Sequence, residues 1–539
     1  MNLCSRLGMQ NSTSSHPGEA NAPHSRSLGA SPRTLRSHGR LTTLNKKSPL
    51  SAESGPPPPH PRRNGSKHDA GELQQYKCRS KQSSVPPDTR LLTTMTTALH
   101  RLPAFTNFQD AVKGIQRVSY CTGAIPLDAD TSTIFYRTDG KPYYIDFAKA
   151  SSEDLKVLAE SCQPATFGVN KQDVFDETYR KAGKMDAANF ATQFHPSACG
   201  VVDAIRDAML PAQDTDRGIK IEMYKLNVYG PGAFFKAHVD TPRSDTMFGS
   251  LVVVLPTVHE GGSLVFRHRG TEWTFDTAHA ISTTSPPGLR AAFVAFFGDV
   301  EHEVAVVTSG YRVTLTYNLY YDDTRTRRQD QAKTAPPLIP VAIPPTPRGS
   351  DLEPTLSALL TDPNFLPEGG LVGFGLFYKY AFRVKYIYRI DYITKPTPLS
   401  GIEKSLKGSD AAVHDVCKTL QLKTSLKTLY RTNKSAAEFC LADEVLSLHF
   451  PAEYGLLGSL KDMYRDAILA YGYGDEAKLE GDIDISEMQP VLWVAEAGEV
   501  NSFEPAYIAY GNEPGLDCAY TQLCLIAKVG PFGKRATIK

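Results

Sequence analysis

No apolar run in this 539-residue sequence approaches the roughly 20 residues that a membrane-spanning helix needs. The longest, such as Ser250–Pro256 and Ala291–Gly298, are strand-sized. No C-x-x-C pair occurs either. The nine cysteines, at positions 4, 78, 121, 162, 199, 417, 440, 518 and 524, are odd in number and scattered. That spacing argues against a disulfide framework or a cysteine zinc site and fits a reducing compartment. An excess of one charge is also missing: 59 Lys+Arg stand against 58 Asp+Glu, a formal net charge of +1. General electrostatic attraction to nucleic acid or to an anionic membrane is therefore not expected, and neither is an expected partner. The N-terminus lacks the apolar core of a secretory signal. A cytoplasmic or nuclear protein is expected, with an organelle transit peptide left open because the first segment is acid-poor and rich in Arg and Ser.

What is present is a globular composition, 41% hydrophobic and 22% charged, unevenly distributed. Residues 1–95 hold 14 Lys+Arg against 5 Asp+Glu, leaving 45 against 53 for the rest. This segment is rich in Ser, Pro, Gly, Arg and His, includes Pro56–Pro59 and has no hydrophobic period. It cannot bury enough apolar surface to offset its ordering entropy, and is expected to be a disordered basic tail. Met95 offers an alternative start. Lys46-Lys47 and Arg62-Arg63 read as solvated charge before they read as a nuclear address.

Residues 96–321 are expected to form one domain. Its α/β lead-in contains helices over Ser152–Cys162, with Glu153 and Asp154 in the first turn, and over Ala198–Met209. The polar stretch Phe167–Asp186 reads as a loop or helix lying over a site. From about residue 220 the period changes to that of strands. Lys220–Tyr229 alternates, Ser250–Pro256 and Ala291–Gly298 are apolar throughout, and Ser263–Phe275 forms an extended pair turning at Arg269–Gly270. Glu303–Thr308 and Tyr311–Tyr321 alternate again. Short strands between Gly, Pro and Asp turns predict a sandwich or jelly-roll core over about residues 220–321. A Pro-rich linker is expected at 322–350. A C-terminal α+β domain of no legible role follows at 351–539, with helices at Asp410–Tyr430 and Leu456–Tyr471 and strands near Pro505–Tyr510 and Tyr520–Val529. The fold class is thus mostly β with flanking α.

The chemistry concentrates in two motifs. In Y-G-P-G-A-F-F-K-A-H-V-D (Tyr229–Asp240), His238 and Asp240 are two apart and point to one side of an extended chain, where both can address one ion. H-x-D alone equally describes a surface histidine beside a turn aspartate. In E-H-E-V-A-V-V-T-S-G-Y-R-V-T-L-T-Y (Glu301–Tyr317), His302 opens a strand, where a third ligand would sit at a jelly-roll mouth. Two imidazoles and one carboxylate leave coordination positions open, which suits Fe(II) binding a keto acid and O2 together. Arg312, Thr314 and Thr316 share one side of the next strand. A guanidinium pointing inward is costly unless an anion meets it, and its planar fork fits a carboxylate. The alternative is a solvent-facing cross-strand pair. The Tyr229 phenol can reach the same ligand, and Thr314 can add a hydroxyl. Tyr224, of opposite parity, is expected on the other face.

Three further histidines, His259, His268 and His279, read as loop or strand-surface residues. Gly230-Pro231-Gly232 reads as a strand-ending turn, not a phosphate loop. Cys518 and Cys524 read as buried small apolar residues.

Taken together, Tyr224–Asp240, G-G-S-L-V-F (Gly261–Phe266), A-F-F-G-D-V-E-H-E-V and S-G-Y-R-V-T-L-T-Y resemble the prolyl 4-hydroxylase-like branch of the Fe(II)/2-oxoglutarate dioxygenases. More closely they resemble an uncharacterised fungal-type group within it. The resemblance covers roughly residues 160–321. It implies a double-stranded β-helix, with His238, Asp240 and His302 as Fe(II) ligands, Arg312 on the distal carboxylate of 2-oxoglutarate, and Tyr229 hydrogen-bonding that co-substrate. It also implies O2-dependent hydroxylation of a C–H bond with release of succinate and CO2. Collagen-type members carry Lys where this chain has Arg312, and the C-terminal region does not match their peptide-binding domain. Tyr510–Tyr520 resembles tails of the fungal-type group. The substrate stays open between a prolyl or other protein side chain and a small metabolite, and a non-catalytic jelly-roll binding module is the reading from another class. Oligomeric state is not legible.

Overall fold

The computed structural model describes residues 99, 101–115, 119–169, 172–210, 217–282, 288–326, 351–383, 397–431, 438–445, 467–473, 475, 488–498, 501, 510–512 and 518–535. All belong to the unit Gln82–Lys539. The tail expected at 1–95 lies outside them, as does 327–350, most of the expected linker. Among the described residues no helix is long and apolar enough to cross a membrane.

Two sheets form the jelly roll. The larger has the strand order Tyr120–Pro126, Arg290–Phe297, Met247–Val254, Arg312–Thr326, Arg217–Tyr229, Gly183–Asp186, Gln163–Pro164. The smaller runs Thr271–Phe275, Leu264–His268, Glu301–Val304, Phe234–His238, Arg180–Lys181. Met247–Val254 and Arg290–Phe297 are buried at every position, as unbroken apolar runs demand of central strands covered on both faces. Between the sheets, Phe266 and Phe296 pack with ring centroids 5.2 Å apart. Burial of each such side chain contributes about 1.5–3 kcal/mol.

The expected helix at Ser152 is present as Ser152–Glu160. A capping box starts it: the Asp154 N–H donates to Ser151 Oγ, and the Ser151 N–H donates to Asp154 Oδ2. The second helix begins at Val201, three residues later than expected, because Gly200 takes a left-handed φ of 77°. Arg269 and Gly270 turn the hairpin between Leu264–His268 and Thr271–Phe275, both with positive φ. Phe167–Asp186 is not helical. Its described residues form the strands Phe167–Val169, Gln172–Val174, Arg180–Lys181 and Gly183–Asp186, and of them Arg180 lines the central cavity. Arg312–Thr326 runs past the expected end at residue 321.

In the C-terminal region six strands close a barrel in the order Gly370–Arg383, Gln489–Ala495, Ile468–Gly472, Glu438–Ala442, Lys423–Arg431, Cys518–Val529. The helix expected over Asp410–Tyr430 stops at Thr419. Gln421 turns left-handed at φ 61°, the Leu422 N–H donates to Cys417 O, and the alternating K-T-S-L-K-T-L-Y-R pairs as a strand. Of the expected helix Leu456–Tyr471, residues 456–466 lie outside the described set, and the end belongs to the strand Ile468–Gly472. The leading helix Pro103–Lys113 packs on this barrel, with Phe108 edge-on to Phe374 at 6.0 Å and Gln109 Nε2 donating to Val494 O.

Where the barrel meets the jelly roll, Lys407 Nζ lies 2.7 Å from Asp299 Oδ1, and both side chains are buried. The Lys379 N–H donates to Asp299 Oδ2 at 2.8 Å, and His268 Nε2 sits 3.4 Å from it. Lys407 and His268 hold the Asp299 carboxyl below its usual range, outweighing the upward push of burial. Lys407→Met would leave that carboxylate uncompensated and should destabilise the fold by about 3–5 kcal/mol, read from the urea midpoint at neutral pH. A loss within about 0.5 kcal/mol, the range of ordinary surface substitutions, would show the pair to be dispensable.

Candidate metal and co-substrate site

Cross-strand register builds the site. His238 ends Phe234–His238 and lies directly opposite His302 on Glu301–Val304. Their ring centroids are 4.2 Å apart. Asp240 follows two residues on, and one ligand atom from each of the three falls within 4.8 Å of the others. All three side chains are buried. His238 Nδ1 is 2.8 Å from Lys236 O and His302 Nδ1 is 3.1 Å from Val300 O. A carbonyl oxygen only accepts, so each Nδ1 carries the proton and each Nε2 lone pair is left for a cation. Burial, reinforced by neighbouring His302, pushes the His238 pKa well down. Neutral imidazoles and a carboxylate are the donor set that Fe(II) takes, so the residues present fit that ion.

Across the cavity, Tyr229 lies opposite Arg312 on the paired strands Arg217–Tyr229 and Arg312–Thr326, and Asn227 lies opposite Thr314. The Arg312 guanidinium is 5.5 Å from the Tyr229 ring. Arg312 is 1% exposed, which rules out the solvent-facing alternative. Its Nε donates weakly to Thr277 Oγ1 at 3.4 Å, and its Nη2 has no hydrogen-bond partner among the described residues. Burial lowers its pKa to about 10, so it is still charged at neutral pH. A buried cation with an unused donor is the cost that an anionic ligand removes. Gly262, at φ 69°, is pressed against it: a Cβ there would stand 2.8 Å from Arg312 Cδ. The cavity, about 600 Å³ counted to its open mouth, is lined by Tyr229, His238, Asp240, His302, Arg312 and Thr314 among others. All six site residues anticipated from the sequence are therefore brought to one cavity.

Several lining residues escaped the sequence reading. The Ser250 hydroxyl donates to Asp240 Oδ2. Its signal was visible, since it is the polar residue heading the otherwise apolar run Ser250–Pro256. Arg180 packs 4.2 Å over the Phe235 ring, which in turn stacks on His238 at 3.6 Å. Asn512, from the far end of the chain, donates from Nδ2 to Asp240 Oδ1 at 2.6 Å. Tyr224 lines the cavity, contrary to expectation, because a register shift between Met223 and Lys225 breaks the alternation on which its parity was reckoned. His259 and His268 are buried, not surface residues. His268 reaches Ser119 Oγ and Asp299, while Nδ1 of His259 meets Thr257 O. Gly232, at φ 76°, closes the turn expected at Gly230–Gly232. Cys518 and Cys524 are buried.

Residues 224–320 match the family model of the 2OG-Fe(II) oxygenase superfamily. The chain thus carries a 2OG-Fe(II) oxygenase domain and is a dioxygenase of the class that works with Fe(II), 2-oxoglutarate and O2. Similar solved structures include a prolyl-4-hydroxylase from Pseudomonas putida, at 20% identity and TM-score 0.24, covering 40% of this chain and 99% of that one. A 2OG-Fe(II) oxygenase family oxidoreductase from Burkholderia pseudomallei is 13% identical with TM-score 0.21, covering 41% and 94%. A prolyl hydroxylase from Trichoplax adhaerens, solved with a hypoxia inducible factor peptide fragment, is 12% identical with TM-score 0.20, covering 47% and 99%. These likenesses are too distant to assign residue roles here. No curated protein matches the chain.

Co(II), a spectroscopic stand-in for Fe(II), should bind the anaerobic protein one to one. His302→Ala should weaken that binding at least about a hundredfold, judged against the 10–100-fold that loss of a mere supporting residue costs. Equal affinity in the variant would remove His302 from the metal site.

Proposed function

We propose that this chain hydroxylates a C–H bond of a protein side chain, prolyl residues among them, consuming 2-oxoglutarate and O2 and releasing succinate and CO2. The observation that carries the reading is a buried His–Asp–His cluster facing, across one cavity, a buried guanidinium with an unused N–H. A dicarboxylate has one charged group for each end of that cavity: His238, Asp240 and His302 would hold Fe(II), and Arg312 would grip the far carboxylate through Nη2. When bound, Fe(II) would supply open positions for a keto acid and for O2, the oxidant that C–H cleavage needs.

The chain's own groups do the orienting. The carbonyls of Lys236 and Val300 fix both imidazole planes through their Nδ1–H groups. Ser250 and Asn512 fix the carboxylate. The Tyr229 ring flanks Arg312 and Thr314 lines the same cavity, so the co-substrate's distal end meets a planar fork beside polar side chains. Apolar Val252, Leu264, Phe296 and Val304 line part of the remainder, where they limit water at the reacting centre. In balance, one atom of O2 enters succinate and the other the new hydroxyl, and the electrons come from decarboxylation and from the C–H bond. The choice of a protein side chain as substrate rests on the sequence resemblance to the prolyl 4-hydroxylase-like branch, as does the nearness to a fungal-type group.

The test is succinate formation by protein purified without oxygen, given Fe(II) and 2-oxoglutarate and then exposed to O2. Succinate should form, and His238→Ala should abolish it. Arg312→Leu should raise the 2-oxoglutarate requirement about 10–100-fold, the worth of a charge-assisted hydrogen bond of about 1.5–3 kcal/mol. Succinate unaffected by His238→Ala would refute the assignment, and none under any condition would favour a non-catalytic binding module.

A further inference from the structure

The C-terminal region meets the oxygenase site at two places, and both bear on segments that carry the metal ligands. At the first, residues 510–512 run beside the H-x-D motif. Gly511 makes a parallel bridge to Val239, the residue between His238 and Asp240. The Thr241 N–H donates to Asn512 Oδ1 at 3.0 Å. That bond settles the amide's orientation, because a backbone N–H needs an oxygen, and so Nδ2 faces Asp240. On its other side Tyr510–Gly511 pairs with Phe167–Val169, which holds the segment in place. At the second, the turn before His302 is gripped from the barrel. The Lys379 N–H and Lys407 Nζ both meet Asp299, and Tyr520 Oη lies so close to Gly298 that a Cβ there would collide with it.

We propose that residues 351–539 complete the metal centre, with Asn512 as the positioning residue that sets the plane of the Asp240 carboxylate. The proposal rests on the oxygenase reading above. Asp240 Oδ2 receives the Ser250 hydroxyl and Oδ1 receives the Asn512 amide, so each oxygen takes one hydrogen bond, one from 10 residues away and the other from 272. Two such bonds hold the carboxylate against rotation, leaving one lone-pair direction of Oδ1 toward His302 Nε2, 3.9 Å away. With Ser250 alone the group turns about its Cβ–Cγ bond, and the ligand atom leaves the position that the two imidazoles define. The oxygenase domain by itself is therefore an incomplete metal site. Anything that binds or displaces 510–512 would act on metal retention without touching the cavity.

The experiment is Co(II) titration of the full chain, followed by visible absorption, with Asn512→Ala and Asn512→Leu. The second keeps the branched shape of the side chain and removes both the donor to Asp240 and the acceptor for the Thr241 N–H. Both should weaken Co(II) binding about 10–100-fold and change the shape of the Co(II) spectrum, while the metal-free proteins melt with the wild type. Unchanged affinity and spectrum in both variants would overturn the proposal. So would loss of the metal-free fold in both, since Asn512 would then be a determinant of folding and not of the centre. Failure of the oxygenase reading is told apart by the wild type, whose Co(II) binding would then survive His238→Ala.

Discussion

The pairing of His238 with His302 across two antiparallel strands is the constraint on which the rest depends. It places two imidazoles 4.2 Å apart with their planes tilted by 53°, and a one-residue slip of either strand would turn its own histidine to the opposite side of the sheet. The sheet can hold that register because its flanking positions are apolar and buried: a slip would turn outward Phe235 on one strand or Val304 on the other. The same logic governs the facing sheet, where Tyr229 and Arg312 sit opposite one another and Asn227 meets Thr314. A metal site on one sheet and an anion site on the other thus follow from two registers and the spacing between the sheets.

Much of this was legible from residue pattern. Unbroken apolar runs identified the central strands, and the i, i+2 spacing of His238 and Asp240 identified a shared face. Alternation set Arg312 on the face opposite Val313 and Leu315 and left open whether that face was the inner one, which its 1% exposure decides. What escaped depended on departures from periodicity or on distant contact. The bulge after Met223 reversed the parity of Tyr224, and alternation cannot foresee a bulge. The helix expected over residues 410–430 ended where Gln421 adopts a left-handed turn, a conformation its residue type does not advertise. His268 looked exposed within R-H-R-G, but the partners that bury it, Asp299 and Ser119, lie about thirty and a hundred and fifty residues away.

Asn512 is the clearest case of illegibility. Nothing in Y-G-N-E-P marks an amide that meets a carboxylate 272 residues earlier in the chain. Its contact exists because the barrel docks on the jelly roll through the buried Asp299–Lys407 pair and carries the segment at 510–512 to the rim of the cavity. A region whose role the sequence left blank thereby acquires a physical connection to the chemistry, through hydrogen bonds to one ligand and to the turn before another.

The central claim is that two sheets hold one cation and one dicarboxylate at a fixed separation. Diffraction from anaerobic crystals containing Mn(II) and 2-oxoglutarate tests it most directly. The account predicts one anomalous peak within about 2.0–2.2 Å of His238 Nε2, His302 Nε2 and an Asp240 oxygen, with a co-substrate carboxylate on Arg312 Nη2. A metal bound elsewhere, or a carboxylate that leaves Arg312 unpaired, would contradict it.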